Sequence, residues 1–127
     1  QAASLDLHRT SMYRGSMLPK DLVAASMRPL VLTLLSEREG YGYDLIQRMR
    51  AHSDAQLEWT EGTLYPVLHR LEKEGLVRAE WQRAETGRRR KYYFVTAAGS
   101  AALEIEKQNW LTVHQLLADL WKTKPSS

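Results

Sequence analysis

Five cations stand within nine residues of this 127-residue chain: Arg83, Arg88, Arg89, Arg90 and Lys91, against the single acid Glu85. Guanidinium groups stay charged at any working pH and match phosphate oxygens in shape, so the chemistry on offer is the gripping of a polyanion. The loop sums to +5 − 1 = +4, more than the formal net charge of +3 for the whole chain, which leaves about −1 elsewhere. Charge gathered in one place is the footprint of a nucleic-acid binder. A run of charge alone is more often just a solvated face. What precedes it decides the reading.

The loop needs a hairpin to carry it. Val77, Ala79 and Trp81 alternate with Arg78, Glu80 and Gln82, and Tyr92 and Phe94 alternate with Tyr93 and Val95, a period of two on both sides. Glu85-Thr86-Gly87 supplies the turn, with Gly87 free to take positive φ. Tyr92, Tyr93 and Phe94 read as hairpin packing rather than as base-stacking groups.

Ahead of the hairpin lies a helix. It starts between Thr60 and Thr63, with Pro66 expected within about a turn of that start, and stops at Gly75, which stands where a left-handed residue belongs. Leu64, Val67, Leu68 and Leu71 share one face; Thr63, Pro66, His69, Arg70 and Lys73 share the other. A shorter helix over Tyr43–Arg50 precedes it, broken from its own predecessor by Gly40-Tyr41-Gly42. Two helices joined by a short connection, the second with a basic outer face, make a helix-turn-helix. Further upstream, Leu18-Pro19 opens a helical stretch. Ser26 reads as the N-cap of a second, apolar helix running to about Ser36, with Pro29 in its first turn.

After Thr96, which caps it, a last helix runs from about Ala97 to Lys122, roughly 39 Å at 1.5 Å per residue. That is too long for a domain of this size to cover alone. Leu103, Trp110 and Leu117 recur every seven residues, and Glu106, Val113 and Leu120 fill the alternate heptad position. This spacing makes a seam for another helix, so Leu103, Trp110, Val113, Leu117 and Leu120 are the expected dimer interface. Trp110 has two readings, dimer core or a flat surface that stacks on an aromatic effector. Trp121 either closes the seam or lies on the surface.

Composition narrows the alternatives. There is no cysteine, hence no disulfide scaffold and no thiolate-held zinc, which suits a reducing cytoplasm. His8, His52, His69 and His114 lack metal-ligand spacing, and no metal or other cofactor is expected. No apolar run approaches the ~20 residues that span a bilayer. No nucleophile elbow, zinc-protease motif or phosphate loop is present, so an enzyme is not expected. The chain begins with Gln1, and its first stretch has no clear period. The expected division is an arm or tail over residues 1–17, a winged helix-turn-helix over 18–96, and a dimerisation helix over 97–122. The fold class is mainly α with a small β-hairpin (α+β).

The strings GYGYDLIQRM (Gly40 to Met49), EGTLYPVLHRLEKEGLV (Glu61 to Val77) and GRRRKYYFVTAAG (Gly87 to Gly99) resemble, in order and spacing, the PadR family of bacterial transcriptional regulators. The single C-terminal helix is similar to the smaller branch of that family, some of whose members bind drugs or dyes between two helices of the dimer. The resemblance implies a homodimeric repressor that a small aromatic molecule releases from an inverted-repeat operator. The stretch before Leu18 departs from the pattern.

Groove geometry assigns the contacts. The helix over Thr63–Glu74 fits a major groove about 12 Å wide, with Thr63, His69 and Arg70 towards base edges and Pro66 and Lys73 on the same outer face. Arg88, Arg89, Arg90 and Lys91 lie along phosphates or enter the minor groove. Tyr41, Tyr43 and Tyr65 are placed to give hydroxyls to phosphates near helix N-termini, Tyr65 with core packing as an equal alternative. Two other classes stand beside this one: a winged helix that binds protein, and a DNA-binding activator without effector.

Overall fold

The computed structural model describes residues 17–122. The arm expected over residues 1–17 therefore lies, apart from Met17, outside the described residues, as does His8. Four helices and one hairpin follow in order: α1 Lys20–Glu37, α2 Gly42–His52, α3 Glu61–Lys73, β1 Val77–Arg83, β2 Arg89–Val95 and α4 Ala97–Lys122.

The first correction concerns α1. Two helices were expected and one continuous helix is found. Ser26 does not cap anything: its hydroxyl donates back to the Val23 carbonyl at 3.0 Å. Pro29 therefore sits mid-helix, where it has no N–H to give the preceding turn. Burial outweighs that loss, because Met27, Val31, Leu32, Leu34 and Leu35 all enter the core from this one helix.

α2 matches the expected short helix, extended by a residue or two at each end. Arg48 ties it to α1: its guanidinium donates to the Leu34 carbonyl at 2.6 Å and to Asp44 Oδ2 at 3.2 Å, satisfying an acceptor in the last turn of α1. The connection to α3 passes through left-handed backbone at Asp54 and Ala55 (φ 56° and 65°) and buries Leu57 and Trp59.

α3 begins and ends where its residue types direct. Thr60 accepts from the Thr63 N–H at 3.2 Å, and Thr63 Oγ1 accepts from the Thr60 N–H at 3.1 Å, a reciprocal cap. At the far end the Leu76 N–H reaches the Leu71 carbonyl (2.9 Å) and the Gly75 N–H reaches Glu72 (3.0 Å), with Gly75 at φ +79°. This is a Schellman stop. Pro66 lies deeper than expected, at the sixth helical residue, on the exposed side.

β1 and β2 pair antiparallel from Val77↔Val95 to Arg83↔Arg89. Ala84 and Gly87 close the turn, and Gly87 at φ +91° takes the positive-φ place such a loop requires. Gly40 bridges Tyr93 on the other side of β2, with backbone bonds of 2.8 and 3.3 Å, so the hairpin is stitched to the entry of α2.

Thr96 caps α4 as expected, accepting from the Gly99 N–H at 3.0 Å. Gly99 then passes so close to the Leu76 carbonyl that no Cβ would fit. The helix packs on α1, where Arg28 is bonded to Glu106. Leu103, expected on the seam, is 4% exposed within the chain's own core. A heptad period cannot tell a helix's own domain from a partner. From Lys107 to Lys122 every residue but Ala118 is exposed, over about 24 Å of helix.

Candidate nucleic-acid interface

The outer face of α3 exposes Thr63, Pro66, His69, Arg70 and Lys73, while Leu64, Val67, Leu68 and Leu71 hold the inner face against the core. The Thr63 hydroxyl is already engaged at the cap, where it donates to the Thr60 carbonyl at 3.0 Å. His69, Arg70 and Lys73 have longer reach.

Tyr41 and Tyr43 flank Gly42 at the start of α2, and the Tyr65 ring lies against that glycine. Tyr43 and Tyr65 are exposed, and Tyr41 is half-buried. A Cβ at Gly42 would collide with the Tyr65 ring and hydroxyl, so only glycine lets α3 lay this ring against the start of α2. Tyr41 turns the other way, edge-on to Tyr92 with centroids 5.2 Å apart.

The hairpin's two faces have different neighbours. Because opposed residues in an antiparallel pair point the same way, Tyr41, Arg90, Tyr92, Phe94 and Arg78 share one side. There Arg90 lies 4.3 Å over Tyr41 and Arg78 lies 4.3 Å over Phe94. Arg78 also pairs with Glu80, which holds that carboxyl below the usual range. The other side carries Val77, Ala79, Trp81 and Arg83 opposite Val95, Tyr93, Lys91 and Arg89. It turns towards α3: Tyr93 is buried, which pushes its hydroxyl pKa up, and Lys91 reaches Glu72 of α3 at 3.6 Å. Lys91 is thus half-buried and paired with α3. Arg88 and Arg89 stand exposed nearer the tip, with Arg89 5.1 Å over the Trp81 ring.

Three features escaped the sequence reading. Trp81 alternates correctly with its neighbours yet is 59% exposed, because the core ends at Ala79. Arg28 of α1 donates to Glu74 at the end of α3 (2.8 Å) and to Glu106 of α4 (3.1 Å). This joins three helices at one guanidinium, and the Arg28 hydrogen bond holds the Glu74 carboxyl low. Such a tie spans 78 residues and leaves no periodic signal. The third is a groove of about 500 Å³ between α1 and α4, lined by Pro29, Leu30, Thr33, Leu103, Trp110 and Leu111 among others. Trp110 was expected at a seam or a ligand surface and lines this groove at 37% exposure.

Among the described residues no group of His, Asp and Glu could hold a metal ion, and no helix is long and apolar enough to cross a membrane. A helix-turn-helix backed by a basic hairpin on a mainly α scaffold defines a winged helix-turn-helix protein. The chain belongs to the transcriptional regulator PadR-like family, whose pattern it matches over residues 31–105. It is 37% identical to the transcriptional regulator Rv3488 of Mycobacterium tuberculosis over 70% of this chain and 79% of that one. Among solved structures, a PadR family transcriptional regulator from Eggerthella lenta superposes with a TM-score of 0.73 at 29% identity, covering 98% of this chain and 100% of that one. A PadR-like transcriptional regulator from Bacillus cereus gives 0.73 at 30% identity, covering 83% and 100%. The chain is a transcriptional regulator of this family.

Proposed function

We propose that the chain binds an inverted-repeat DNA operator as a homodimer and represses transcription until a small aromatic molecule lowers its affinity. The observation that carries the DNA contact is the Lys91–Glu72 pair, which sets a +4 hairpin loop alongside the exposed, basic face of α3. His69 and Arg70 face base edges from the major groove, with Thr63, Pro66 and Lys73 beside them. Arg88, Arg89 and Arg90 follow the phosphates, and Tyr43 and Tyr65 give hydroxyls near the first turn of α2. Tyr41 and Lys91 serve the same surface mainly by bracing the hairpin.

The dimer reading is supported by Trp110, Val113, Leu117 and Leu120 standing exposed on a helix that outruns its domain. Leu116 widens that apolar face beyond the expected seam. The effector reading is supported by the groove beside Trp110, whose walls are almost wholly apolar. A ligand wedged between α1 and α4 strains the helices that Arg28 ties to the end of α3, and so favours a state with different operator affinity.

Selection of bound genomic fragments by the full-length protein, followed by titration with planar aromatic compounds, tests the whole reading. Recovery of an inverted repeat that such a compound releases supports it. Failure to enrich any duplex in dilute buffer, with capture of a protein instead, overturns it.

A further inference from the structure

Of the hairpin's four aromatic rings, three are buried or half-buried. Tyr92 abuts Tyr41, Tyr93 is buried, and Phe94 lies beneath Arg78. Trp81 stays 59% exposed, towards the tip on the side that looks at α3. Its neighbours on that side are Lys91 directly across, then Arg83 and Arg89. Arg89 lies 5.1 Å over the ring, an arrangement that holds the indole in one orientation. A large apolar surface ringed by cations and set between a basic helix and a basic loop is not what water alone would favour.

We propose that Trp81 is a DNA-contact residue, packing its indole on the deoxyribose–phosphate backbone that runs between α3 and the hairpin. This rests on the DNA-binding reading above. The position selects backbone over base: a residue between one element in a groove and another beside it meets sugars and phosphates. The chemistry agrees. The indole face is apolar, as is the face of a deoxyribose, and its Nε1–H is a donor for a phosphate oxygen. Arg83 and Arg89 supply the charge complement on either side, while Arg89 also positions the ring. The residue adds affinity without reading sequence.

The test compares full-length wild type with Trp81→Ala, Trp81→Phe and Arg89→Ala, using fluorescein-labelled operator and scrambled duplexes over a range of salt. Trp81→Ala should weaken binding to both duplexes by about tenfold, the scale of an aromatic contact with a nucleotide. Its slope of log affinity against log salt should match wild type, because an uncharged ring releases no counterion. Arg89→Ala should lower that slope by about 0.9. The DNA-dependent change in tryptophan emission should shrink in Trp81→Phe, a readout that a merely structural role would not move. Equal affinity of wild type and Trp81→Ala, or an emission change undiminished in Trp81→Phe, overturns the contact while leaving DNA binding intact. A wild type that binds neither duplex overturns both readings together.

Discussion

The Arg90 guanidinium lies 4.3 Å from the centroid of the Tyr41 ring, so one of the arginines nearest the hairpin tip is braced against the residue that precedes α2. Tyr41 in turn meets Tyr92, and its neighbour Gly40 is bonded to Tyr93. The hairpin is therefore not a free flap. It is fixed to the helix-turn-helix by an edge-on ring contact and two backbone bonds, which sets the spacing between the two basic surfaces.

This separates two arginines that look alike in the sequence. Arg90→Ala should lower stability by about 0.5–1 kcal/mol through the lost ring contact, as well as weakening DNA binding. Arg88→Ala, exposed and with no ring beneath it, should weaken binding with Tm unchanged. Thermal melts of the two variants check the contrast, and equal Tm losses would refute it.

Glycine positions give a second contrast. A Cβ at Gly99 meets the Leu76 carbonyl and the Val95 side chain, and backbone there cannot swing aside. At Gly42 the atoms nearest to such a Cβ belong to the Tyr65 side chain. Gly99→Ala should therefore cost more than the ~1–3 kcal/mol typical of overpacking, and Gly42→Ala no more than that. Urea midpoints read the order directly. Gly42→Ala should also displace Tyr65 and so reduce operator affinity.

Much of this architecture was legible because a few residues do a local job that nothing else does. Thr60 with Thr63, Gly75, Gly87 and Thr96 mark element ends through hydrogen bonds or positive φ that depend on immediate neighbours alone. What escaped depends on distant partners. Pro29 reads as a helix start by its own preferences, yet burial of the residues around it carries α1 straight through. Leu103 fits a heptad equally well facing its own domain or another copy. The exposure of Trp81 and the triple tie at Arg28 arise only when the hairpin and α4 dock.

That tie has a pH signature. The Arg28 hydrogen bond lowers the Glu74 pKa in the folded state, so its contribution is fully present above the ordinary glutamate pKa and is lost as pH falls through the folded value. Stability should decline below about pH 4.3, and Glu74→Gln should flatten part of that decline. Glu80, lowered by its bond with Arg78, leaves a residual slope. Melts from pH 6 to pH 3 test this; identical profiles for wild type and Glu74→Gln would remove the tie from the account.

For the long helix, Leu117→Glu or Val113→Glu should give folded monomers, since either puts a charge into the proposed apolar interface. Leu103→Ala should instead destabilise each protomer by about 2–5 kcal/mol, as expected for a cavity in its core. Sedimentation and melting together distinguish the two effects. Intact dimers of Leu117→Glu would move the interface elsewhere.

The most direct measurement is the salt dependence of operator binding by wild type and by the triple variant Arg88→Ala, Arg89→Ala, Arg90→Ala. Three lost phosphate contacts should reduce the slope of log affinity against log salt by about 2.7. A slope identical in the two proteins would contradict the claim that these arginines hold DNA.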